Sequence, residues 1–148
     1  MKNTKLVSKY WIFVFLLVSC NSGIKKGNKL SQADLNYISE IGLVDKGEQI
    51  FLFASQSDNK TSGNFITNKR LASYWIDEQI VDGNINSAFY HEIDTILTKD
   101  LSSSWTYASF LKVIKKDSTE FKVFVHGDSK KINQFFEKAV SEWEKRKK

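Results

Sequence analysis

The chain of 148 residues has no proline, a single cysteine (Cys20) and only two histidines (His91 and His126). The absence of proline excludes polyproline recognition segments. One cysteine excludes an internal disulfide framework and a cysteine-rich zinc site. The two histidines show neither HxxxH nor HxH spacing and fall at the ends of separate strand-like segments, so no metal site is expected. Glycines 23, 27, 42, 47, 63, 83 and 127 never form GxGxxG or a phosphate-binding loop, so no nucleotide cofactor is expected. Ser102-Ser103-Ser104 lacks the strand-to-helix setting of a nucleophile elbow and reads as loop.

What the chain does contain is apolar and aromatic. Hydrophobic residues make up 41% and aromatic residues 14%, with 11 Phe and 4 Trp. A chain of 148 residues is enough for one domain and too short for two ordinary ones, and this aromatic load can fill a small core well. The first nineteen residues form a separate unit. Lys2, Lys5 and Lys9 precede the apolar run Trp11–Val18. Eight helical residues span roughly 12 Å, well short of a ~30 Å hydrocarbon core, so the run is a signal-peptide core and not a membrane span.

That run ends in Leu17-Val18-Ser19-Cys20. The tetrapeptide resembles the lipobox of bacterial lipoproteins. The resemblance implies cleavage before Cys20, diacylglycerol on its sulfur, and a mature protein moored to the bacterial cell envelope, facing the periplasm or the exterior. Loss of Lys2, Lys5 and Lys9 lowers the basic residues from 22 to 19 against 17 acids, and the net charge from +5 to +2. Little basic excess then remains, so nucleic acid is not expected as a partner. Residues 20–30 read as the modified cysteine followed by a polar, glycine-containing tether with an r.m.s. reach of roughly 17 Å over ten residues.

Residues 31–148 read as a single domain. Ser31 and Asp34 carry the spacing of a capping box, Leu35 and Ile38 start an apolar face, and Gly42 is a natural stop, which predicts a short N-terminal helix. Strand patterns follow at 50–56, 64–67, 70–77, 87–93 with a continuation through Leu97, 105–114 and 121–125. Tight turns fall at Asn68-Lys69, at Val81-Asp82-Gly83-Asn84 and at Lys116-Asp117-Ser118. Ile132, Phe135, Phe136, Ala139, Val140 and Trp143 then form one continuous stripe at helical spacing, with Asp128 or Ser129 as cap. If that stripe is buried, Trp143→Ala is expected to cost ~3–5 kcal/mol. The plan is α+β: a strongly bent antiparallel sheet of about seven strands closed by a C-terminal amphipathic helix.

Three segments carry a second resemblance: Lys46-Gly47-Glu48-Gln49-Ile50 entering the first strand, Gly63–Leu71 across a hairpin with Thr67-Asn68-Lys69-Arg70 at its turn, and Phe89–Ile96. Together with the closing helix they resemble a bacterial pleckstrin-homology-like domain over about residues 43–144. The resemblance implies a non-enzymatic module that binds an envelope lipid, a peptide or a protein. Lys60, Lys69 and Arg70 are then the candidate contacts for an anion or partner. A different reading is a cone-shaped α+β domain that binds or hydrolyses a small ligand in an aromatic pocket, with Trp75, His91 and Trp105 as its candidate lining and His91 as base. A structure separates the two: a filled interior favours the first, a deep pocket holding His91 beside an acid the second.

Overall fold

The structure, a computed structural model, describes residues 23–77, 84–104 and 106–148. The leader, Cys20, residues 81–83 of the proposed turn and Trp105 lie outside the described residues. The element order is β1 (Gly23–Lys26), α1 (Gln32–Glu40), β2 (Ile50–Ser55), β3 (Ser62–Thr67), β4 (Arg70–Trp75), β5 (Asn84–Phe89), β6 (Ile93–Lys99), β7 (Ser109–Lys115), β8 (Glu120–Val125) and α2 (Ser129–Arg146).

Both helices start and stop where the sequence places them. The Ser31 hydroxyl accepts the Asp34 N–H at 3.1 Å, and the Asp34 carboxylate accepts the Ser31 N–H at 3.0 Å, the two halves of a capping box. Gly42, at φ +78°, ends that helix in the left-handed region that a side chain disfavours. Asp128 caps α2 by accepting the Lys131 N–H at 3.0 Å, and these bonds hold its carboxyl below the ordinary aspartate range.

The strands do not form one bent sheet of about seven. They form two antiparallel sheets, β1-β2-β3-β4-β5 and β6-β7-β8. The break falls at a 3₁₀ turn, Tyr90–Glu92, inside what the residue pattern presents as one continuous strand. There the Glu92 carboxylate takes the Phe89 N–H at 2.8 Å, and Tyr90 N–H donates to the Lys69 carbonyl. The chain leaves the first sheet and begins the second at Ile93.

The tether is also shorter than the composition implies. Gly23–Lys26 pair with Ser55–Leu52 as an eighth strand, and Leu30 is buried. Ile24 packs on the main core, and the Lys25 ammonium lies 5.5 Å from the centre of the Phe53 ring. Strand pairing and these side-chain contacts thus hold a segment whose polar, glycine-containing composition suggests a loose linker. Gly27 sits so close to the Ile50 carbonyl that a Cβ has no room there.

Two cores flank the five-stranded sheet. One lies between the sheets and beneath α2 and holds Ile66, Leu71, Ala88, Leu111, Val123, Ile132 and Phe135. The other lies under α1 and holds Ile38, Phe53, Phe65, Ala72 and Tyr74. Strand β3 is therefore buried along its whole length. One polar side chain ties the sheets together. Asn64, 3% exposed, accepts the Phe124 N–H of β8 at 2.8 Å and the Ser73 hydroxyl of β4 at 2.9 Å through the same Oδ1. Asn64→Ala leaves both donors without that acceptor and is expected to lower unfolding free energy by about 1–3 kcal/mol, read from urea denaturation. A change below a few tenths of a kcal/mol would show that the two sheets hold together without it.

Candidate ligand groove and the clasp opposite it

Strand register sorts the first sheet into two ends. Gly23, Ser55, Ser62, Trp75 and Asn84 lie at one, and Lys26, Ile50, Thr67, Arg70 and Phe89 at the other. The groove and the clasp described next sit at these opposite ends.

A groove of about 590 Å³ opens at the Trp75 end, between the first sheet and the free edge of β8. Its floor follows from the register. On the core face, Ile66, Leu71 and Ala88 form one cross-strand row, and two residues further along the same strands the next row is Asn64, Ser73 and Asn86. Beyond it Trp75 pairs with Asn84. The face thus passes from apolar to amide and hydroxyl where the second sheet stops covering it. Trp75 is 41% exposed at the mouth. Gln56 and His126 join this groove to a second cleft of about 490 Å³, lined by Gly23, Lys25, Gly127 and Lys131.

At the opposite end the Lys46–Ile50 segment and the β3–β4 hairpin meet. Arg70 is 4% exposed, and the side chain of Glu48 is wholly buried. Arg70 donates from Nε to Glu48 Oε1 at 3.1 Å and from Nη2 to Glu48 Oε2 at 2.8 Å, a two-point pair. Nη2 also meets Asp45 at 2.6 Å, and the guanidinium lies 4.2 Å from the Phe89 ring centre. Thr67 donates its hydroxyl to Glu48 at 2.5 Å and accepts the Lys69 and Arg70 N–H groups. Hydrogen bonds from Arg70 and Lys69 hold the Asp45 carboxyl below its ordinary range. Tyr90 donates to the Thr67 carbonyl at 2.6 Å, and burial pushes its phenol well above the usual tyrosine range.

Lys60, Lys69 and Arg70 do not converge. Successive hairpin connections leave a sheet at alternate ends, so Lys60, in the β2–β3 loop, lies at the far end of the sheet from Lys69 and Arg70. Arg70 does not sit on a solvated turn; its guanidinium faces two carboxylates of its own chain. Lys69 is half-exposed and bonded to Asp45 at 3.3 Å.

The aromatic pocket around His91 does not form among the described residues. Trp75 ends β4 and His91 follows β5, which puts them at opposite ends of one hairpin, separated by five residue steps or about 17 Å. His91 is exposed and stacked on Phe89, with ring centres 5.8 Å apart. The histidine at the groove is His126. Asn64, Ser73, Asn84 and Asn86 supply the polar side chains of the groove on the first sheet. The alternation Asn84-Ile85-Asn86-Ser87-Ala88 carries their signal, since it places two amides on the face that Ala88 buries. Among the described residues no three His, Cys, Asp or Glu side chains cluster as metal ligands, and no helix is long and apolar enough to cross a membrane.

No family model matches the chain, and no curated protein matches it in sequence. Its fold is similar to a solved structure, the crystal structure of a DUF1696 family protein with a pleckstrin-homology domain from Shewanella loihica PV-4 at 2.00 Å resolution. The two are 14% identical, and the match covers 82% of this chain and 97% of the other at a TM-score of 0.51. The fold is therefore α+β and pleckstrin-homology-like, with β1 as an edge strand of the first sheet.

Proposed function

We propose that the protein is a membrane-tethered, non-enzymatic binding module of the bacterial cell envelope, moored through Cys20 and recognising its partner at the groove beside Trp75. The observation that carries the binding half is the groove itself. Its floor is amide and hydroxyl, while the two cores beside it are filled with aliphatic and aromatic side chains. The tether half rests on the Lys-rich start, the short apolar run and Leu17-Val18-Ser19-Cys20.

Geometry links the halves. Strand β1 begins three residues after Cys20, a contour of at most about 11 Å. A folded domain of this size has a radius of gyration of about 14 Å, so such a leash cannot let it turn over freely. Gly23 pairs with Ser55 at the end of the sheet where the groove opens. Lipidation at Cys20 would therefore hold the groove close to the bilayer. Two or more acyl chains, each buried CH₂ contributing ~0.8 kcal/mol, make such attachment stable where one chain is marginal.

Cys20→Ala is the test. It is expected to abolish lipid labelling and to move the protein from the membrane fraction to the soluble fraction, with the melting temperature of the domain unchanged. Undiminished membrane recovery would reject the anchor.

A further inference from the structure

We infer that the groove takes an uncharged, hydroxyl-rich ligand, a short neutral oligosaccharide, stacked on Trp75 and hydrogen-bonded by the amides of Asn84 and Asn86 on β5. The inference deepens the binding-module reading and is independent of the lipid anchor.

The charge around the groove is the first argument. Among the described residues two ionised side chains line it, Glu120 and Lys122, and both are engaged outside it. The Lys122 ammonium lies 4.6 Å from the Phe110 ring centre, and Glu120 bonds the Lys112 ammonium at 2.8 Å, both on the outer face of the second sheet. His126 stands at the rim, and Tyr74 adds a phenol to the lining. The cations of the adjoining cleft are engaged as well, Lys131 with Asp128 at 3.5 Å and Lys25 with the Asn59 side-chain oxygen at 3.2 Å, so a phosphorylated or acidic ligand finds no concentrated positive field in the groove.

The neutral chemistry is the second argument. Asn84 and Asn86 sit two apart on one strand, with Ser73, Asn64 and Gln56 beside them. A primary amide offers one acceptor and two donors, so a row of them can meet hydroxyls that both donate and accept. Trp75 adds a broad flat surface at the mouth, the shape that the C–H face of a sugar ring covers. A volume of about 590 Å³ lies within the usual range for small-ligand sites.

The edge of β8 is the third argument and bears on a peptide. An extended peptide would add to a free strand edge through its main-chain hydrogen bonds. At β8 the outward N–H of Phe124 is already taken by Asn64 Oδ1, which interrupts that ladder beside the groove.

The test titrates the full chain in lipid nanodiscs with N-acetylglucosamine tetramer, cellotetraose and maltotetraose, and separately with a pool of random octapeptides. Heat of binding and the Trp75 indole N–H resonance are followed. At least one oligosaccharide is expected to bind and shift that resonance. Trp75→Ala and the double variant Asn84→Ala/Asn86→Ala are each expected to weaken binding at least tenfold, with unchanged melting temperature, because these residues are exposed or lie on an edge strand. No binding to any of the three up to about 10 mM, a free energy weaker than about −3 kcal/mol, overturns the inference. So does binding that both variants leave intact, or a Trp75 shift produced by the peptides alone. Any of these leaves the Cys20 tether untouched, and a failed tether leaves the oligosaccharide result standing.

Discussion

Arg70→Ala is expected to lower the unfolding free energy by about 3–5 kcal/mol, measured as a shift in the denaturant midpoint at constant m-value. The reason is what the truncation leaves behind. The Glu48 side chain has no exposed surface, and Arg70 supplies two of the hydrogen bonds to its carboxylate. Removing the guanidinium leaves that charge in the interior with the Thr67 hydroxyl and the Asp45 N–H as its remaining partners. Asp45, half-exposed, can turn to water and contributes little to the loss. The Phe89 ring also loses the cation above it. The double variant Glu48→Leu/Arg70→Met removes both charges together and is expected to be more stable than Arg70→Ala alone. A cost below about 1 kcal/mol for Arg70→Ala would mean that Glu48 finds water in the folded protein.

Phe135→Ala is expected to cost about 3–5 kcal/mol, and Trp143→Ala distinctly less. Size alone would make Trp143 the principal knob of the last helix. The fold puts Phe135 beneath the middle of α2, fully buried in the core between the sheets. Trp143 sits one helical turn from the end of α2, half-buried, with its indole N–H on the Ile93 carbonyl at 3.3 Å and Lys147 over its ring. Truncating Phe135 opens a cavity that its neighbours cannot close, whereas the space left by Trp143 adjoins water. Thermal melting of both variants checks the order, with each kcal/mol worth roughly 2–8 °C in a domain of this size. Equal losses, or a larger loss at Trp143, would contradict this placement of the core.

The elements whose causes are local were legible in the sequence. Helix α2 is set by a cap at Asp128 and an unbroken stripe from Ile132 to Trp143, and α1 by Ser31, Asp34 and Gly42. The segments Lys46–Ile50 and Gly63–Leu71, which carry the likeness to a pleckstrin-homology-like domain, prove to touch through Glu48, Thr67 and Arg70. What escaped depends on partners distant in the chain. The turn at Tyr90–Glu92 looks like strand because Phe89, Tyr90 and Ile93 suit a sheet, and the Glu92 carboxylate that caps Phe89 shows only once the chain is folded. Strand β1 has one aliphatic side chain and forms because β2 offers it an edge. Arg70 reads as a surface cation in any linear pattern, since nothing in its neighbourhood along the chain announces Glu48, 22 residues away. The groove was half legible. Trp75 stands out by type, but the polar row of Asn64, Ser73 and Asn86 exists only in the register of three strands.

The intact mass of the protein extracted from its native membrane tests the central claim most directly. The account predicts a species that begins at Cys20 and carries a diacylglycerol group, with acyl chains on that residue alone. A species that retains the leader from Met1, or one cleaved elsewhere without acyl mass, would contradict it.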